Sequence, residues 1–321
     1  MKTTRFLSCS AAIFAALISG LPTQARDDSL VTAVFSNARR DYVRAKNSDG
    51  SFKRETYVVG NGGYNPGVAA DPSIDRVSFP DLIRVMAGYL AKESYVPAPA
   101  GQTADLLLVL AWGTTMPFDD STYRLGLYNM AMSTNRLKLA NYDLQNTPHA
   151  RDRSFEGIQS PLAAVQNAAQ EEFVNDMITM RMFDDMRSKS DEQNARLLGY
   201  VSEVNRTNDL LRFAGAGSYY DDLISDLENE RYYVIVSAYD YRLAQEKKPK
   251  LLWTTRVSIQ AQGNHFDRSV AAMLASASHH FGQNTDRLIR QYHEGVVGIG
   301  EFKVVGIAPD PSSKEQPADK K

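Results

Sequence analysis

The chain has 321 residues, 43% of them hydrophobic and 23% charged, with a formal net charge of -2. That balance is ordinary for a globular protein able to bury a core. It excludes the strongly basic field that draws a protein to nucleic acid or to anionic lipid.

Lys2 and Arg5 precede an apolar or small run from residue 6 to 21, and Pro22 and Thr23-Gln24-Ala25 follow it. A positive start, a short apolar run and small residues at its end are the pattern of a secretory signal peptide. We therefore expect residues 1–25 to be removed, with cleavage after Ala25. The run is too short to span a bilayer, which takes about 20 apolar residues. Cys9 lies inside it with almost no hydrophobic segment before it, so lipidation is not expected. Cleavage would leave a chain without cysteine, excluding disulfides, thiolate nucleophiles and cysteine-bound metals. Losing Lys2 and Arg5 would also take the net charge from -2 to -4. The expected location is outside the cytoplasm, periplasmic or extracellular, with no transmembrane span after cleavage.

Residues 26–55 are polar and mixed in charge and read as an N-terminal arm with one helix over residues 30–46. A short strand over 56–59 runs into Gly60-Asn61-Gly62-Gly63-Tyr64-Asn65-Pro66-Gly67, which has the composition of a loop. Ser78 opens a helix, with Pro80 in its first turn and Asp81 placed for a capping box. Phe79, Leu82, Ile83, Met86, Tyr89 and Leu90 form its apolar stripe. The continuous apolar run 104–112 suits a strand buried on both faces.

Residues 113–160 show no legible period. From Pro161 the pattern is helical, with Leu162, Val165, Ala169, Phe173, Met177 and Met180 on one face to about residue 187. A polar link, 188–191, precedes a second helix whose Leu197, Val201, Val204, Asn208 and Leu211 make a narrow seam spaced by three and four. The two read as an antiparallel hairpin, closed by Gly215-Ala216-Gly217 and followed by a short helix over 219–229.

Residues 232–241 and 251–260 are rich in β-formers and are expected to make a β-hairpin. Asn264 is placed to cap a last long helix with stripe Phe266, Val270, Met273, Ala277, Phe281 and Leu288. Residues 296–305 suit an edge strand, and the Pro-, Lys- and Asp-rich tail suits disorder. The order of elements implies an α+β fold: a mixed sheet with helices packed on one face, interrupted by a helical hairpin insertion. The α+β domain is divided between 56–112 and 230–306, the insertion occupies 113–229, and 307–321 form the tail.

The helix expected from Phe79 to Glu93, the run Ala104-Asp105-Leu106-Leu107-Leu108-Val109 and the later Val234–Asp240 with Leu251-Leu252-Trp253 carry a resemblance. They resemble a group of uncharacterised bacterial envelope domains often found in small lipoproteins. The architecture is similar to that of the amino-terminal domain of the periplasmic protein TolB and related envelope assembly factors. The resemblance implies a scaffold or binding role and brings no catalytic residues with it. The chain departs from it in lacking a lipidation cysteine and in the length of 113–230.

Residues for chemistry are sparse. His279 and His280 diverge by about 100° on a helix, and His293 lies about 21 Å further along at helical rise. There is no His-Glu-x-x-His, no P-loop Lys-Ser/Thr after the glycines and no Gly-x-Ser-x-Gly elbow. No metal, cofactor or nucleic-acid ligand is expected. Asp119-Asp120, Asp184-Asp185 and Asp221-Asp222 are paired acids of the kind usually found on solvated surface. Tyr219, Tyr220, Asp221 and Asp222, with the acids and tyrosine of 119–123, compose the one arrangement suited to a glycan or hydrolase site. The methionines Met177, Met180, Met182 and Met186 suit either core or an adaptable partner surface. The expected function is that of an exported, non-enzymatic envelope protein, a scaffold or protein-binding module. Its helical insertion would contact a protein partner or a second copy through Met177, Met180, Leu197, Val201, Val204, Asn208 and Leu211. The alternative is a secreted glycan-binding module or hydrolase.

Overall fold

The computed structural model describes residues 30–147, 161–214 and 217–293. Strands β1 (Leu30–Ala38) and β2 (Glu55–Asn65) come first, then helices α1 (Pro72–Asp75) and α2 (Phe79–Lys92) and strands β3 (Tyr95–Pro97) and β4 (Leu106–Thr114). Four helices follow: α3 (Asp120–Asn146), α4 (Pro161–Leu198), α5 (Val201–Ala214) and α6 (Gly217–Glu228). The chain returns through β5 (Arg231–Asp240), α7 (Tyr241–Gln245), β6 (Leu251–Gln260), α8 (Phe266–Ser278) and β7 (Ile289–His293). The strands make one open mixed sheet in the order β3-β2-β4-β5-β6-β1-β7. β2 runs parallel to β3 and β4, and the other pairings are antiparallel. The protein is therefore α+β, with its helices packed on a mixed sheet and a helical insertion between β4 and β5.

Alternation along the strands divides the core in two. Tyr232, Val234, Val236 and Ala238 of β5 face α2 and α8, where they meet Leu82, Met86, Leu90, Phe266, Met273 and the Trp253–Phe281 stack, ring centroids 5.3 Å apart. Tyr233 and Ile235 face the other way, toward Ala195, Leu198 and Tyr200 at the end of α4 and Leu223 and Leu227 of α6. The insertion thus sends its last segments back to cover the second face of the sheet that it interrupts. The α2 start follows its sequence signals: Ser78 accepts from the Asp81 backbone and the Asp81 carboxylate accepts from the Ser78 N–H.

Several elements differ from expectation. Residues 30–38 form a strand and not a helix, because β1 is inserted between β6 and β7. Its polar Thr32 and Ser36 are buried and disguise the alternation; Thr32 meets the Ser276 hydroxyl at 2.9 Å and Ser36 the Thr255 hydroxyl at 2.7 Å. The glycine-rich 60–65 is the second half of β2, with a register shift between Asn61 and Gly63 where Gly63 takes φ +110°. A Cβ at Gly62 would lie 2.8 Å from Val109, so the bare backbone is what lets β2 lie against its neighbour there. Helix α4 passes without a break through 188–191. Helix α8 starts after His265 with no side-chain cap, Asn264 instead donating to the Gln260 carbonyl, and ends at Ser278. Gly282, at φ +72°, turns the chain, so Phe281 completes the first core and Leu288 the second. The expected signal peptide, the strand over 296–305 and the tail lie outside the described residues. Among the described residues no helix is long and apolar enough to cross a membrane.

Candidate protein-binding surface

The expected hairpin of 161–187 with the helix after 191 does not form, because α4 runs on to Leu198. The hairpin of the insertion is made instead by α3 and α4, and α3 lies in the stretch where the sequence showed no period. At 1.5 Å per residue the helices are about 40 and 57 Å long. On α3 the side turned to α4 carries Gly126, Met130, Ser133, Leu137, Ala140 and Leu144; on α4 it carries Leu162, Gln166, Ala169, Phe173, Asp176, Met180 and Phe183. Both series alternate steps of four and three, the spacing of an antiparallel coiled coil. The fully buried α3 positions are the small ones, Gly126, Ser133 and Ala140, one in each heptad. A Cβ at Gly126 would stand 2.7 Å from the Met180 sulfur and 2.9 Å from the Phe183 ring, so the helices approach closely at this end. Arg136 pairs with Glu172 across the hairpin.

Polar contacts tie the base of the hairpin to the sheet domain. Asp119 caps α3, accepting from the Ser121 N–H and hydroxyl. Arg187 of α4 donates to Glu228 of α6 at 2.5 and 2.9 Å, with its guanidinium 5.0 Å from the Tyr123 ring centre. The buried Asn194 amide donates to the Leu227 carbonyl at 3.0 Å, and the Ser190 hydroxyl to the Met116 carbonyl at 2.9 Å. Asp226 accepts from Arg231 at 2.5 Å, Arg290 at 2.7 Å and Tyr200 at 3.1 Å. Burial pushes the Tyr200 hydroxyl up to about 12. Asp191 is raised to about 6 by burial and by the neighbouring Glu228 carboxylate, against the pull of Arg187.

Beyond this base the hairpin buries little. The α3 face turned away from α4 presents Leu125, Tyr128, Met132, Leu139 and Tyr142, each 38–65% exposed, and the outer face of α4 presents Val174, Ile178, Met182 and Met186 at 37–59%. Scattered apolar residues on a surface are ordinary, whereas here they recur at helical spacing along one side of each helix.

The sequence-derived surface residues divide between inside and outside. Met177 is half exposed, whereas Met180 is buried against α3. Val201 is partly exposed, and Leu197 and Val204 pack into the second core. The side chains of Asn208 and Leu211 lie outside the described residues. The α3 stripe was missed; its signal is the three-four spacing of 125, 128, 132, 139 and 142, which could have been found by testing 113–160 for a second seam.

The residues of the glycan alternative are engaged separately. Asp120 pairs with Arg124, and the Tyr123 hydroxyl donates to Asp184 at 3.0 Å. The Tyr219 hydroxyl donates to Glu203 at 3.1 Å, and Asp222 lies 4.0 Å from Arg290. Tyr220 is half-buried and Asp221 exposed on α6. No hydrogen bond or ion pair joins the two groups among the described residues. The histidines also go to different partners: His279 Nδ1 lies 3.0 Å from Glu93 and His293 Nε2 2.7 Å from the Ser276 hydroxyl, while burial lowers the His280 pKa. Among the described residues no group of three His, Cys, Asp or Glu is placed to hold a metal. No protein-family model matches the chain, and no curated protein matches it.

Proposed function

We propose that this is an exported, non-enzymatic envelope protein, a scaffold or protein-binding module that works through the α3–α4 hairpin. The observation that carries the reading is the pair of apolar stripes on the outer faces of a hairpin anchored at one end by Arg187, Asn194 and Ser190. A helix pair that needed only its mutual seam would be polar on its outer faces; α3 and α4 instead keep leucine, tyrosine and methionine there. Export rests on the N-terminal residues 1–25, and the envelope setting also on the resemblance of the sheet-forming segments to envelope domains. The polar atoms of Asp119, Asp120, Tyr123 and Tyr219 are engaged in caps and local pairs, so the glycan alternative has no comparable support.

The test is site-specific photo-cross-linking in the producing cell, with the probe at Leu139 or Met182 on the hairpin and at Arg84 on the opposite part of the fold. The reading expects protein adducts from the hairpin positions and none from Arg84, in a chain whose recovered N-terminus is Arg26. Equal labelling at all three positions, or none at the hairpin, overturns the binding role. An intact Met1 on the folded protein overturns export.

A further inference from the structure

The two outer stripes of the hairpin differ in period, and the difference identifies an occupant for one of them. Val174, Ile178, Met182 and Met186 step by four throughout, so the row winds about 40° per step around α4. On α3, Leu125, Tyr128, Met132, Asn135, Leu139 and Tyr142 step three, four, three, four, three. They stay on one line, about opposite the buried seam, and hold the a and d positions of a second coiled-coil repeat. Helix α3 is thus patterned for a helix on each side, and α4 fills only one.

We infer that the outer face of α3 pairs with the same face of a second copy of this chain, parallel and in register. The inference rests on the binding role proposed above and names its partner. Three features favour a second copy in this orientation. In a parallel pair Asn135 meets Asn135 of the other copy, where two amides satisfy each other; in the antiparallel register centred on the stripe it would face Met132 and bury an unmatched amide. Lys138 and Asp143 occupy flanking positions five residues apart, which in a parallel pair bring opposite charges together twice across the two-fold axis. The antiparallel arrangement would set them opposite Ala131 and Thr122. The area is also adequate. With a whole tyrosine near 200 Å² and leucine or methionine a little less, the exposed fractions of Leu125, Tyr128, Met132, Leu139 and Tyr142 amount to about 500 Å² per copy. Asn135, Arg124, Lys138 and Asp143 extend this toward the roughly 800 Å² per partner of a stable interface.

Sedimentation equilibrium of protein purified from cells making the full chain tests the inference. A dimer is expected at about 50 μM, near the concentration range where interfaces of this size self-associate. Leu139→Glu should weaken it by at least about 100-fold, while Ile178→Glu, on the other stripe, leaves it unchanged. The exposed charges supply a variant set that does not perturb folding. Lys138→Asp and Asp143→Lys should each weaken the dimer by about fivefold, and the double swap should restore it. With Cys9→Ser, Asn135→Cys should close an intermolecular disulfide under mild oxidation. A monomer at that concentration, or a dimer indifferent to Leu139→Glu and to both charge changes, overturns the second-copy inference. If Leu139 photo-adducts to a different protein persist in that case, the binding role stands and only its partner is corrected.

Discussion

Gly199 is where the long helix α4 ends against the sheet, and replacing it tests whether the hairpin is anchored as described. Its φ is +83°, a conformation that costs a residue with a Cβ about 1 kcal/mol or more. An alanine Cβ would stand 2.5 Å from Cδ1, 3.0 Å from Cγ and 3.1 Å from Cβ of Phe35. Phe35 cannot retreat easily, since its backbone is paired with Arg256 of β6 and its side chain packs against the second core. Overpacking at such a site costs about 1–3 kcal/mol, so Gly199→Ala should destabilise by about 3 kcal/mol in all. Gly88 supplies the opposite case: it lies on the exposed side of α2, and its added Cβ would meet nothing within 4 Å. There alanine gains helix propensity, and Gly88→Ala should stabilise by about 0.5–1 kcal/mol. Urea denaturation followed by far-ultraviolet circular dichroism reads both. A slope of about 3 kcal/mol/M puts the Gly199→Ala midpoint about 1 M lower, with Gly88→Ala slightly higher. A Gly199→Ala variant within about 0.5 kcal/mol of the parent would refute the close approach of the α4–α5 turn to β1.

Three further outcomes follow from buried charge. Asp191 is raised to about 6 in the folded protein, so the native state holds a proton that the unfolded chain releases near 4; stability therefore falls as pH rises from about 4 to 6. Asp191→Asn should leave stability unchanged below pH 4 and raise it by about 1 kcal/mol above pH 6, a figure discounted for partial solvent access and read from thermal melts across that range. Arg44 is buried with its guanidinium 4.0 Å from the Phe52 ring centre and 4.1 Å from that of Tyr95, donating to the Glu93 carbonyl and lying 3.5 Å from Glu55. Arg44→Met should cost about 3 kcal/mol in the urea midpoint, and Arg44→Lys should not restore it, because an ammonium cannot stack flat between two rings. Asp226→Asn removes the charge that faces Arg231 and Arg290 at once, and should lower stability by about 3 kcal/mol in the same assay.

Much of the sheet domain was legible in residues that sit close together along the chain. The capping box Ser78–Asp81, the apolar run of β4 and the β-formers of β5 and β6 are local signals, and local physics was enough to identify them. The candidate surface was half legible: the apolar character of α4 showed as a methionine-rich helix, but which methionines lie inside was not visible. Met180 is buried and Met182 exposed because α3 lies on one side of α4 and not on the other, and that choice is made between helices. Helix α3 escaped notice because the fully buried positions of its seam are the small Gly126, Ser133 and Ala140. Large apolar residues stand on both sides of it, Met130, Leu137 and Leu144 toward α4 and Leu125, Tyr128, Met132, Leu139 and Tyr142 away from it, so that no single stripe stands out.

By itself the sequence determined the class of fold, the capped start of α2, the strand pair β5–β6 and the presence of a helical insertion, since each depends on periodicity or capping within about 20 residues. Tertiary structure alone decided that 30–38 is a strand, that glycine-rich 60–65 completes β2, and that the insertion returns to cover the second face of the sheet. Each of those outcomes is set by partners more than 40 residues away: β6 and β7 for β1, β4 for the glycines, and Ala33 of β1 for the ends of α4 and α6. A strand's hydrogen bonds and a buried face are completed by neighbours that the local sequence does not contain.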